Sequence, residues 1–203
     1  AVTLFLIFYF LFVNERVQKK DIIRLAICGV FGVAINQLLF FEGLNLTTPI
    51  NAAIIMTINP VLVIIMSALI LFEKINLRKG IGIALGLVGA STLILNGGSV
   101  SGNTNYMLGN MFVFVNAASY GLYLVLVKPM MQKYHPITVM FYVFGFGLLY
   151  VLPFGYTELM AVDWLSFPPI IIWEVLFVVI CTTVIAYLLN SSALKLLNPS
   201  TVS

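Results

Sequence analysis

Charge is what this sequence has least of. Only 8% of its 203 residues are charged, ten Lys or Arg and seven Asp or Glu, against about 25% in an average soluble chain. With 62% hydrophobic residues, it lacks the polar side chains needed to cover a water-soluble globule. One histidine and two cysteines leave metal, acid–base and thiol chemistry few groups to work with. Cys28 and Cys181 both lie inside apolar runs, which argues against a disulfide framework of the secreted kind. His135 stands beside Pro136 in a short link, and HExxH, GxSxG and His/Cys clusters are missing. An intramembrane enzyme is therefore the weakest reading, and neither a metal nor a cofactor is expected. No block of basic residues points to nucleic acid, and the formal charge of +3 is informative only through where the charges fall.

Long apolar runs are what the chain has in abundance. Charges, Pro, Gly and Asn divide it into seven of them, at residues 1–13, 22–46, 49–72, 78–96, 107–127, 136–154 and 169–195. A helix needs about 20 residues to cross a bilayer, so six of the seven are long enough. The runs are continuously apolar and do not alternate in pieces of about ten residues, which predicts helices and not a barrel. Pro49 after Thr48 and Pro136 after His135 stand where a first helical turn tolerates proline, and Gly97-Gly98 closes the fourth run. The first run lacks the basic flank and cleavage site of a signal peptide. It reads as the remnant of a longer helix, and the chain as a fragment of a larger protein.

The placement of charge tests this parse. If successive runs cross in alternate directions, Arg16, Lys19, Lys20, Arg24, Lys74, Arg78, Lys79, Lys128, Lys133 and Lys195 all fall on one side. Those are all ten basic residues. The other side holds Thr47, Thr48, the loop 96–106 and the loop 155–168, with Glu158 and Asp163. The positive-inside rule makes the basic side cytoplasmic.

Shifting the sequence by 150 residues lays 34–53 on 184–203. Identities fall at Ile35/Ile185, Leu38/Leu188, Leu39/Leu189, Leu44/Leu194, Leu46/Leu196 and Pro49/Pro199. The second and seventh runs are five crossings apart, an odd number, so a true repeat would be inverted, with its binding site near the midplane. Recurrence of Leu, Pro and small residues in any membrane protein is the competing explanation.

Residues 42–95, with Gly43-Leu44 before the Thr-Thr-Pro link, Asn51-Ala52-Ala53, Asn59-Pro60, the Glu73-Lys74 pair and the Gly-rich run that follows, resemble the EamA family of the drug/metabolite transporter superfamily. Ala193-Leu194-Lys195 and Asn198-Pro199-Ser200 resemble the corresponding point of the second repeat. The resemblance implies an all-α polytopic membrane helix bundle of two inverted five-helix repeats. Ten helices would make the intact protein; about seven are present here, the first truncated. Residues 1–96 would form the first repeat without its first helix, 97–106 an external linker, and 107–203 the second repeat without its last two helices. The function it implies is a carrier for metabolites, amino acids or drugs, commonly outward.

Polar side chains inside spans should avoid lipid. Asn116, Ser119, Tyr120 and Tyr123 recur at i, i+3, i+4 and i+7, a stripe on one helix face. Thr183, Tyr187, Asn190 and Ser191, at i, i+4, i+7 and i+8, form a like stripe, and Asn36 and Gln37 lie on the face of Phe40 and Phe41. Broad aromatic contact with a few directional polar groups suits a small-molecule cavity, while polar glue between helices is the alternative. Glu42 is the one carboxylate placed inside a span, a candidate proton or substrate-charge site unless it reaches the headgroups. Asn59 and Pro60 mark a candidate hinge, where Pro60 removes a backbone bond and Asn59 could satisfy the freed carbonyl. Gly82, Gly86 and Ala90 have the spacing of close helix packing.

The sequence thus predicts a multi-pass carrier of the bacterial inner membrane, working by alternating access around a central cavity. Its partners would be a small-molecule substrate and the bilayer, not nucleic acid, and a homodimer is compatible. A channel is the runner-up, since the same stripes could line a pore. A seven-helix receptor is suggested only by the number of runs.

Overall fold

Proline sets the register of this molecule. Four helices begin on one, at Pro49, Pro136, Pro169 and Pro199, where its missing N–H costs no helical bond. Two of these starts are also capped. Thr48 Oγ1 accepts the Asn51 N–H at 3.3 Å, and His135 Nδ1 accepts the Ile137 N–H at 3.3 Å.

The computed structural model describes residues 1–13, 15–75, 77–96, 105–163 and 167–202. The linker expected at 97–106 lies almost wholly outside them, as does the Gly97-Gly98 stop. Among the described residues every regular element is a helix, with no strand. The helices are α1 (Val2–Val13), α2 (Lys19–Leu46), α3 (Pro49–Ile70), α4 (Leu77–Asn96), α5 (Tyr106–Lys133), α6 (Pro136–Ala161), α7 (Pro169–Leu196) and a short α8 (Pro199–Val202). Of these, α2, α3, α5, α6 and α7 are long and apolar enough to cross a membrane.

The seven expected runs therefore coincide with seven helices, and the differences have local causes. α5 continues to Lys133 and keeps Lys128 inside the helix with Pro129 after it. α6 continues through Pro153 to Ala161 because an internal proline removes one hydrogen bond without obliging the helix to stop. Residues expected in the loop after 154 are its last turns.

α3 is broken. Pro60 offers no N–H to the Met56 carbonyl, and Thr57 and Ile58 form a turn between Pro49–Met56 and Asn59–Ile70. The N–H groups of Thr57 and Ile58 bond to the carbonyls of Ile54 and Ile55, both at 3.1 Å. The Thr57 hydroxyl donates to the Ile54 carbonyl at 2.6 Å. The Asn59 Oδ1 is buried with no partner among the described residues.

α2 and α7 each contain a π-wound stretch, Val30–Ala34 and Val178–Ile185. α1 ends in another, Tyr9–Val13.

The chain forms two compact units. The first comprises residues 1–33 and 127–197. Here α6 is central: Phe5 and Tyr9 of α1 pack on Phe144 and Phe141, with ring centroids 4.9 and 4.6 Å apart, and the Tyr187 ring of α7 meets Phe144 edge-on at 5.0 Å. α2 approaches α6 through glycine. A Cβ on Gly29 would stand 2.9 Å from Phe146 Cβ, and one on Gly147 would collide with the Val33 side chain.

The second unit comprises residues 34–126 and 198–203. α3 packs on α5, Ala52 and Ile55 against Val113, and Ile58 and Leu62 against Ala117. The end of α2 lies on α5 through Gly43 and Gly109, whose added Cβ atoms would meet Val113 Cγ2 at 2.7 Å and the Leu46 backbone at 2.8 Å. Apolar helices gain little by leaving lipid for one another, so close approach at small residues supplies the dispersion contact that holds them. The Gly82/Gly86/Ala90 stripe is only partly of this kind. Gly86 sits against Val61, Gly82 has open space around it, and the Ala90 side chain lies outside the described residues.

Candidate functional site

Six of the ten predicted cavity residues belong to the second unit. On α5, Asn116, Ser119 and Tyr123 are buried and Tyr120 is half-buried, so the predicted stripe faces inward. The Tyr120 and Tyr123 rings are 5.8 Å apart. Asn36 and Gln37, half-buried on α2, follow directly on the π-wound turn. The structure brings Asn36 and Asn116 together: the Asn116 amide nitrogen donates to the Asn36 carbonyl. That bond orients the amide and leaves Asn116 Oδ1 buried, at 1% residue exposure, with no partner among the described residues.

The other four lie in the first unit, on α7. The Tyr187 hydroxyl donates to the Gly32 carbonyl at 3.1 Å, inside the π-wound turn of α2. The Ser191 hydroxyl donates to Met140 Sδ at 3.4 Å, and the Thr183 hydroxyl to the Val178 carbonyl of its own helix at 3.0 Å. Asn190 is half-buried. Glu42 is exposed on α2.

Several polar residues escaped the sequence reading. Asn110, fully buried, accepts the Thr47 hydroxyl at 2.6 Å, and Thr48 Oγ1 lies 3.4 Å from the Tyr106 hydroxyl. Asn110 is six residues before Asn116, off the i, i+3, i+4 face, so periodicity passes over it. Thr138 and Ser67 are also fully buried. Single hydroxyls in apolar runs give no pattern that marks them out.

Among the described residues no group of three or more His, Cys, Asp or Glu could hold a metal ion. The chemistry available at these faces is hydrogen bonding and aromatic contact.

The EamA-like transporter family model matches residues 1–95 and 107–203. The chain belongs to this family. Among relatives of this EamA-like chain, the uncharacterized transporter YetK of Bacillus subtilis is 30% identical over 84% of the chain and 52% of its own length. The uncharacterized transporter YyaM of the same organism is 26% identical over the whole chain and 67% of its own length. A protein of Streptantibioticus cattleyicolor named "Probable terminal-alkyne amino-acid exporter" is 25% identical over 68% of the chain and 46% of its own length. The chain thus spans about half to two thirds of the length of the curated relatives it matches. No solved structure matches it. Family and relatives alike are transporters, not enzymes.

Proposed function

We propose that the protein is a membrane carrier that exports a small amphiphilic metabolite, of the size and polarity of an amino acid, by alternating access. The observation that carries this reading is Asn116. An amide oxygen buried without a donor costs about 1–3 kcal/mol, and a substrate N–H or O–H would repay it. Asn36, Gln37, Ser119, Tyr120 and Tyr123 are the further binding residues on this side. Within the first unit, taken by itself, Asn190 and the ring of Tyr187 on α7 are the groups that would meet a solute, while Tyr187, Ser191 and Thr183 use their hydroxyls for structure. Glu42 is the group that would carry a proton or meet a substrate charge. The broken α3, at Thr57 to Pro60, serves as a hinge. The exporter among the relatives supports the substrate class.

Local geometry supports reading residues 1–96 and 107–203 as two inverted repeats joined by the linker 97–106. At the 150-residue offset, the Thr47 N–H bonds to Gly43 and the Leu197 N–H to Ala193, each at 2.8 Å. Pro49 and Pro199 follow, each at a helix start. The π-wound turn Val30–Ala34 corresponds to residues 180–184, within Val178–Ile185. The ten basic residues would face the cytoplasm of a bacterial cell.

Proteoliposomes of the full-length protein test this. Saturable uptake of amino acids with counterflow, reduced in Asn116→Ala and Tyr120→Ala with insertion unchanged, is expected. Single-channel conductance would instead establish a channel.

A further inference from the structure

The first unit holds a polar cluster that the transport reading does not use. It joins the end of α1, the segment before α2, the first turn of α2, and the link between α5 and α6. Lys133, the last residue of α5, is ion-paired with Asp21 and also donates to Gln18 Oε1 at 2.9 Å. The Tyr134 hydroxyl donates to Asp21 Oδ2 at 2.6 Å and accepts the Gln18 N–H at 3.1 Å. The His135 N–H donates to Glu15 Oε2 at 2.9 Å, and the Tyr9 hydroxyl to the Glu15 carbonyl at 2.6 Å.

Further along α2, Asp21, Leu25 and Cys28 recur at i, i+4 and i+7 and are all buried. The next residue is Gly29, in backbone contact with α6 at the Val143 carbonyl, 2.9 Å from where its Cβ would be. The π-wound turn Val30–Ala34 begins immediately after, an irregularity of the kind at which helices bend. α2 is therefore fastened twice in this unit, by charged and hydroxyl groups at one end and by glycine contact about two turns on. Between the two fastenings Leu25 and Cys28 are buried.

We propose that the Asp21–Lys133–Tyr134 cluster is a releasable lock. It holds the first turns of α2 against the α5–α6 link, and the transport cycle opens it, with the Gly29–Val33 contact on α6 as the fulcrum. Charged groups that part from one another regain water, so such a lock opens more readily than an apolar core. The coupling to a cycle rests on the carrier reading; the opening itself does not.

Cys28 is a native reporter, since opening from the locked end uncovers it. In the full-length protein carrying Cys181→Ser, Asp21→Asn and Lys133→Gln should each raise the rate of N-ethylmaleimide alkylation of Cys28 severalfold, with helical circular dichroism unchanged. Parent rates in both folded variants would overturn the lock. In a second arm, Glu15→Cys and His135→Cys are combined with Cys28→Ser and Cys181→Ser and bridged by a short reducible bis-thiosulfonate. Bridging should stop transport and reduction should restore it; full transport while bridged overturns the proposal. If the reduced protein transports no substrate, the carrier reading fails instead, and the alkylation rates still decide the lock.

Discussion

In the first unit polar groups are bound to one another. Asp21, Lys133, Tyr134 and Gln18 form one connected cluster, Tyr187 bonds to Gly32 and Ser191 to Met140. Only Thr138 there has a buried side-chain polar atom without a partner among the described residues. In the second unit, Asn51, Asn59, Ser67, Asn110 and Asn116 each have one. Both units are apolar helix bundles joined at close glycine contacts, so composition does not explain the contrast. It separates polar groups that fasten helices from polar groups that retain unused hydrogen-bonding capacity. On the carrier reading proposed above, the second kind is what a polar solute in transit requires, because water is scarce inside a bilayer.

Four substitutions probe the contrast. The largest effect is expected from Gly147→Leu in the first unit, where a Cβ already collides with Val33. Over-packing of this kind costs about 1–3 kcal/mol or more, read as a lower unfolding temperature in detergent and reduced accumulation in membranes. Asn116→Leu comes next. It removes an unpartnered oxygen together with one bond, so stability should change by less than about 1 kcal/mol, while transport falls about tenfold, equivalent to about 1.4 kcal/mol of lost substrate contact. Equal losses of stability and transport would make Asn116 another fastening group. Tyr187→Phe, its counterpart in the first unit, should cost about 0.6 kcal/mol, typical of a hydrogen bond between membrane helices, and leave the transport rate close to that of the parent. An effect of similar size and opposite sign is expected at Phe72, after α3, which has φ of 56° and is 86% exposed. A left-handed backbone disfavours a side chain by about 1–2 kcal/mol. Offset by the greater freedom of glycine in the unfolded chain, Phe72→Gly should stabilise by about 0.5–1 kcal/mol in thermal melts.

Helix number and order were legible because apolar runs, their charged ends and prolines at first turns are one-dimensional features. The α5 stripe was legible for the same reason: spacing alone placed Asn116, Ser119 and Tyr123 on one buried face. The roles within the stripes were not. Tyr187 and Asn116 occupy comparable places in comparable patterns, yet one bonds to Gly32 and the other keeps a lone oxygen. That difference depends on which carbonyl of a distant helix is within reach. The lock was hidden for a related reason. Asp21 and Lys133 are 112 residues apart, and in the sequence each is a single charge beside an apolar run.

The π-wound turn Val178–Ile185 makes α7 sensitive to phase. Both Thr182 and Thr183 donate to the Val178 carbonyl, at 2.7 and 3.0 Å, as the widened coil allows. Were the stretch to rewind as ordinary α-helix with no residue lost, everything beyond it would turn by about 100°, one residue's share of a 3.6-residue turn. Tyr187, Asn190, Ser191 and Leu194 would swing round together like teeth on a cog, without a single side chain having been replaced.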